Sequence, residues 1–478
     1  MSSVSQLKLF LEPKSIAVVG ANPNSGEKAF NVVENLANCG YKGKVYPVNP
    51  NYTEILGKKC YASVKEIPGD VDLAIIVTPR KVVPQIVSQC GEKGIKAAIV
   101  VGQGFADAAD EEGKRLQQEL IETARKSGVR ILGPNTVGSA NAFIDFTTSF
   151  LKQTDIRKLP VGVVCQSGLF FGTVGRLRLL GKGLDLGNSC DIDVAEAIEY
   201  FAEDSQVKVI VLHIEGIRGD GHRFREAARR AVKKKPVLAL KTGRSERSAK
   251  AAQSHTGSLV GKDEVWDAVF KQSGIIRADD IDDLADLVRA FSYLPPMKGR
   301  GIGVVTASGG IGIMTLDACA KHNLEVAELT SETKKRLNAM SPAWYRAGNP
   351  LDIWPLIINS TRPFGETLRT AMIEMLGDPR VNGIVVFAGA WFQGFKPLIT
   401  DVMKETAEAF PDKPIAWCPY DGWLFDIRSR DLQDILEDAG RAAVFSIPDD
   451  AVRALSRLAD YSEFRNANGG SATYYLKK

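Results

Sequence analysis

Short runs of β-branched and aliphatic residues, each closing on glycine or a polar loop, alternate with longer amphipathic stretches along the whole chain. An apolar run with no polar face makes a strand covered on both sides, and the stretches between supply the covering helices. Right-handed crossovers then give doubly wound parallel sheets. The first set of runs is SIAVVG (15–20), KVYPV (44–48), VDLAIIVT (71–78), KAAIVVG (96–102) and VRILG (129–133), with helical patterns at 28–39 and 111–127. The second is VGVVCQ (161–166), VKVIVLHI (207–214) and PVLALKT (236–242). The third is GIGVVTAS (301–308), NGIVVFAG (382–389), KPIAWC (413–418) and AAVFSI (442–447). The expected fold is α/β, three Rossmann-like or flavodoxin-like parallel-sheet domains in series at about 8–145, 155–292 and 300–462. The Pro pair and glycines of YLPPMKGRG (293–301) read as a linker.

Charge and cysteine content narrow the function classes. Lys plus Arg number 61 against 57 for Asp plus Glu, and no basic stripe interleaved with aromatics occurs, so nucleic acid is not an expected partner. Seven scattered cysteines without a CxxC pair indicate free thiols in a reducing compartment, and no metal site is expected. The N-terminus lacks a secretory pattern and no run of eighteen apolar residues exists. A cytoplasmic protein without a membrane partner is expected.

The strand ends carry the chemistry. Gly20-Ala-Asn22-Pro-Asn-Ser-Gly26 joins the first strand to the first helix, where helix amides can face a phosphate, although the glycines equally suit a tight turn. Its spacing is not GxGxxG, and the second strand runs into Pro47-Val-Asn49-Pro50 with no acid to hold a ribose. NAD is therefore disfavoured, and a phosphorylated adenine cofactor of another shape stays open. Thr78-Pro79-Arg80 and Gly133-Pro134-Asn135 place a hydroxyl, a cation and an amide at the same carboxyl edge.

Of four histidines, His213 lies within an apolar run and reads as a core residue, while His222 and His322 stand beside charges. His255 differs, because Gln253-Ser254-His255-Thr256-Gly257-Ser258 surrounds it with small residues and accessible amides. A neutral imidazole there is a competent nucleophile, though loop histidines are often unremarkable. The turn Cys165-Gln166-Ser167-Gly168 opens a helical stretch that could receive a phosphoryl group. Glu215 ends the 207–214 strand and could hold an imidazole N–H; a salt bridge with Arg218 is the plainer alternative.

Taken together, the domain order, the QSG turn, the LHIEGI strand end and the SHTGSLVG loop resemble the alpha subunit of NDP-forming acyl-CoA synthetases, over about residues 8–460. The ADP-forming acetyl-CoA synthetases are the nearer members and the succinyl-CoA synthetase alpha subunit a more distant one. The resemblance implies CoA at Gly20, Asn22, Gly26, Pro47, Asn49, Thr78, Pro79, Arg80 and Asn135. It implies His255 as phosphoryl acceptor, Glu215 as its support, and phosphate held by Gln166, Ser167, Gly168, Ser254, Thr256 and Gly257. The activity implied is interconversion of acyl-CoA, ADP and phosphate with carboxylic acid, CoA and ATP through an acyl-phosphate. No GxxxxGK[ST] loop occurs. ATP/ADP and Mg2+ are accordingly expected on a separate ATP-grasp beta subunit.

Departures from the family pattern lie at Asn22, at Cys165 and at Ser189-Cys190, and they bear on substrate identity. Cys165 and Cys190 motivate a CoA-linked lyase or transferase as an alternative; a non-enzymatic CoA-binding protein is a separate one, against which His255 and Glu215 argue. Tryptophans 344, 354, 391, 417 and 423 crowd the third domain, as core residues or as the wall of a roomy acyl pocket.

Overall fold

The computed structural model describes residues 6–26, 31–150, 158–170, 181–249, 261–388, 395–419, 437 and 442–469. The chain divides into two compact units, Met1–Ile281 and Asp282–Lys478.

Among the described residues the first unit holds two large sheets and a short antiparallel pair, Glu54–Ile55 with Lys58–Lys59. Strands β1 (Ser15–Val19), β2 (Lys44–Val48), β3 (Leu73–Ile76), β4 (Ala97–Val100) and β5 (Arg130–Leu132) form a parallel sheet in the order β2-β1-β3-β4-β5. The chain leaves β1 for β2 on one side and then crosses to β3 on the other, so a topological switch point lies between β1 and β3. Helices α1 (Val32–Asn38), α2 (Val83–Lys93) and α3 (Glu111–Ser127) follow β1, β3 and β4. The third shows why such segments are helical. Asp110 caps it by accepting from Gly113 N, acids fill its first turn and Arg125 and Lys126 its last, and Gly128 closes it. Its apolar face, Leu116, Leu120 and Ala124, joins Val87, Ala98 and Ile131 in one core. Each fully buried Leu or Val there contributes roughly 1.5–3 kcal/mol.

The second sheet is built from β6 (Ser139–Asn141), β7 (Phe146–Thr147), β8 (Val161–Cys165), β9 (Lys182–Asp185), β10 (Val209–Ile214), β11 (Val237–Lys241) and β12 (Ile276–Ala278). Its order is β12-β11-β10-β8-β9-β6-β7, parallel except for the short pair β6 and β7. Helices α4 (Val194–Glu203), α5 (Gly221–Lys234) and α6 (Asp263–Ser273) pack on it. Segment β6, which follows the first sheet directly, pairs with β9 and so ties the two sheets together. Arg130 adds a second tie, pairing with Asp191 at 2.9 Å and Glu196 at 2.8 Å.

The second unit is one parallel sheet, β13 (Gly301–Thr306), β14 (Glu325–Val326), β15 (Leu351–Asp352), β16 (Gly383–Phe387), β17 (Ile415–Cys418) and β18 (Ala442–Val444). Its order is β14-β13-β16-β17-β18, with β15 also on β13. Within this unit Asp283 of helix α7 (Ile281–Tyr293) pairs with Arg453 at 2.8 Å in the C-terminal helix α8 (Pro448–Ala467). Trp417 is fully buried in this core, whereas Trp344 and Trp354 are 68% and 46% exposed. Trp391 and Trp423 lie outside the described residues. All seven cysteines are free thiols. Among the described residues no helix is long and apolar enough to cross a membrane.

Candidate active site

At the switch point of the first sheet, Gly20 adopts φ +87, and a Cβ there would stand 2.9 Å from Thr78 Cγ2. The ends of β1 and β3 therefore touch only because residue 20 lacks a side chain. Gly20 N donates to Val48 O at 2.9 Å, and Asn49 Nδ2 donates to Ala21 O at 2.8 Å. Pro47 sits in β2 opposite Val18. Beside them the Thr78 hydroxyl is buried without a hydrogen-bond partner. A buried orphan hydroxyl is uncommon and suits a ligand at this edge.

The loop after Gly20 is internally braced. Asn22 Oδ1 accepts from Asn24 N, and Asn31, which caps α1, donates through Nδ2 to Asn22 O and Asn24 O. Gly26 N donates to both carboxylate oxygens of Glu34 at 3.1 Å. The Arg80 guanidinium turns toward α3, pairing with Asp110 at 2.9 Å and Glu112 at 3.1 Å, with Pro79 leading into that turn. Asn135 follows the cis Gly133–Pro134 bond and sits at φ +60, its amide nitrogen donating to Asn188 Oδ1 at 3.4 Å. Gly187 closes over it, and a Cβ at that position would lie 2.3 Å from Asn135 O.

The carboxyl edge of the second sheet gathers the other set. Gln166, just beyond β8, accepts at Oε1 from Glu215 N at 2.8 Å and Gly216 N at 3.2 Å. Glu215 is only 8% exposed. Ser167 and Gly168 lead into a 3-10 turn, Gly168–Phe170. Gly168 packs so closely that an added Cβ would meet Val137 at 2.7 Å. Ser254, His255, Thr256 and Gly257 lie outside the described residues, as does the segment 171–180.

Three groups at this edge were not among the sequence-derived site residues. Lys241 ends β11, is 2% exposed, and donates from Nζ to Glu215 O at 3.0 Å and to Thr242 O. Burial pulls its ammonium down to about 8. Asp185 ends β9 and accepts from Val137 N at 2.8 Å and Thr136 Oγ1 at 2.9 Å, while burial pushes its carboxyl up to about 6. His213 stacks on Phe170 with centroids 3.9 Å apart and reaches Thr242 Oγ1 at 3.2 Å. Burial, with the Lys241 charge adding, holds its ring neutral down to about 3. The available signal was a charged residue closing an otherwise apolar strand, as in VLALK and KGLD.

The departing cysteines are thiols, not thiolates. Cys165 is buried against Asp185 and held well above its usual range by desolvation, and burial pushes Cys190 up to about 12. Among the described residues no cluster of His, Cys, Asp or Glu could hold a metal ion.

Comparison with known proteins bears on both edges. A CoA binding domain matches residues 14–142, and a succinyl-CoA ligase-like flavodoxin domain matches residues 158–291. The chain is 38% identical to the Pyrococcus furiosus acetate–CoA ligase [ADP-forming] I subunit alpha, over 96% of this chain and 98% of that one. It is 38% identical to the Archaeoglobus fulgidus acetate–CoA ligase [ADP-forming] II, spanning 57% of that longer protein. A solved structure of the Candidatus Korarchaeum cryptofilum dinucleotide-forming acetyl-coenzyme A synthetase 1, in complex with phosphate and ADP, superimposes with a TM-score of 0.84 at 29% identity, over 97% of this chain and 99% of that one. The chain belongs to the ADP-forming acid–CoA ligases, among the alpha subunits of the NDP-forming acyl-CoA synthetase family.

Proposed function

We propose that this alpha subunit interconverts an acyl-CoA, ADP and phosphate with the free acid, CoA and ATP, and that His255 carries the phosphoryl group between its two halves. The supporting observation is the buried Glu215, held at the end of β10 by Gln166 beside the QSG turn. A carboxylate so placed can orient an imidazole and increase its basicity.

CoA lies at the carboxyl edge of the first sheet, along Gly20, Asn22, Gly26, Pro47, Asn49, Thr78, Pro79 and Asn135. The unpartnered Thr78 hydroxyl supports that placement. Arg80 reaches the ligand by leaving Asp110 and Glu112, to which its charge is now committed. Phosphate sits at Gln166, Ser167 and Gly168 and at Ser254, Thr256 and Gly257.

In thioester cleavage a phosphate oxygen attacks the acyl carbon, the C–S bond breaks, and CoA leaves as its thiol after protonation. A ring nitrogen of His255 then takes the phosphoryl group as the P–O bond to the acyl oxygen breaks and the carboxylate departs. A β-phosphate oxygen of ADP attacks the phosphohistidine, the P–N bond breaks, and ATP forms. The nucleotide and Mg2+ belong to an ATP-grasp beta subunit, and the reaction to the cytoplasm. The acid is a small carboxylate such as acetate, after the relatives' names.

Product analysis with acid, CoA, ATP and the partner subunit tests this reading. It requires only thioester, ADP and phosphate as products and their loss in His255→Ala with CoA binding intact. Carbon–carbon cleavage, or synthesis that survives His255→Ala, would sink it.

A further inference from the structure

Glu215 is held on both sides of its own main chain. Gln166, from the end of β8, takes the Glu215 and Gly216 N–H groups, and Lys241, from the end of β11, donates to the Glu215 carbonyl at 3.0 Å. The two holding side chains come from the strands that flank β10. They fix the backbone from which the carboxylate projects.

A buried lysine is an expensive way to satisfy a carbonyl, since desolvating an ammonium costs several kcal/mol where an amide or water would serve. Burial opposes the charge most strongly, and the neighbouring groups act in both directions. Asp263 of α6 and Glu215 favour the ammonium, Arg277 of β12 opposes it, and the face of Trp266 lies 5.2 Å from Nζ. The neutral ring of His213 on β10 also feels this charge. A fixed positive charge at the end of β11 complements an arriving phosphoryl group, which a neutral donor would not.

Resting on the reading of His255 as phosphoryl acceptor, we propose that Lys241 is a positioning residue for phosphoryl transfer. Its ammonium holds the Glu215 main chain in place and supplies positive charge at the end of β11. Transfer should therefore weaken as Lys241 loses its proton on the alkaline side, near pH 8.

The test uses the holoenzyme with γ-labelled ATP and Mg2+, following label on His255 across pH 6.5–9.5, with Tm and CoA affinity measured beside it. Lys241→Met keeps the volume and removes the charge. It should slow labelling about 10- to 100-fold while CoA affinity stays unchanged. Lys241→Arg keeps a charge that does not titrate in this range, so it should recover much of the rate and lose the alkaline fall seen in wild type. Wild-type labelling in Lys241→Met, or an alkaline fall unchanged in Lys241→Arg, overturns the proposal while the His255 reading stands. Absence of label from wild-type His255 removes both together, and His255→Ala run in parallel identifies that case.

Discussion

Gln166 Oε1 lies 2.8 Å from the main-chain nitrogen of Glu215, so the side chain that ends one strand fixes the acid that ends the next. Gln166→Met would leave two buried N–H groups without an acceptor. Each orphaned donor costs about 1–3 kcal/mol. For the two donors together the variant should lose about 2–6 kcal/mol of stability by chemical denaturation and should label His255 more slowly. A variant with wild-type stability and rate would separate Gln166 from Glu215.

Gly20 is the tightest point of the candidate CoA edge. Gly20→Ala places a methyl 2.9 Å from Thr78 Cγ2 at a backbone φ of +87, which L residues rarely adopt. Strain of about 1–3 kcal/mol falls on the ligand edge itself. Titration calorimetry should show CoA affinity reduced roughly tenfold or more, while urea midpoints move little in the other sheets. Unchanged CoA affinity would place the ligand elsewhere.

Arg130 pairs with Asp191 and with the nearly buried Glu196 across the two sheets of the first unit. Removing one partner of such a pair strands the other, at about 3–5 kcal/mol. Arg130→Met should show this loss in urea unfolding of the first unit, and Arg130→Met/Glu196→Gln should recover part of it. No recovery in the double variant would mean that the arginine acts through its packing instead.

Asp185 gives a pH signature. Its native carboxyl titrates near 6, above the unfolded value of about 3.9. Its contribution to stability is therefore present below about pH 4 and is lost as pH rises through 6, on the order of 3 kcal/mol. The stability difference between wild type and Asp185→Asn should shift against wild type between pH 4 and 7. A pH-independent difference would show that the buried carboxyl does not change protonation there.

Most of the parallel strands were legible because they are largely apolar runs. KVYPV is a strand over all five of its residues, Lys44–Val48, and 111–127 is a helix with both caps written in Asp110 and Gly128. Lys182–Asp185 is not among the expected strands, because its apolar part is only two residues long between two charges. In the fold Lys182 is buried between Glu12 at 2.8 Å and Asp204 at 2.7 Å. Ser139–Asn141 escaped because it is polar; Ser139 Oγ and Asn141 Nδ2 donate to Phe10 O and Leu11 O, partners about 130 residues away that no local pattern reveals. The site divides the same way. Glu215 and Gln166 were visible as polar residues at strand ends. Lys241 and Asp185 become conspicuous only when burial and partners are known, since a strand-ending charge is ordinarily solvated.

In the proposed reaction phosphate passes through His255. The direct measurement is peptide mass spectrometry at alkaline pH on the holoenzyme turned over with ATP, Mg2+, acid and CoA. An acid-labile phosphate on the His255 peptide, appearing with ATP and discharged on adding ADP, is the predicted result. Full thioester synthesis with that peptide never phosphorylated would contradict the account.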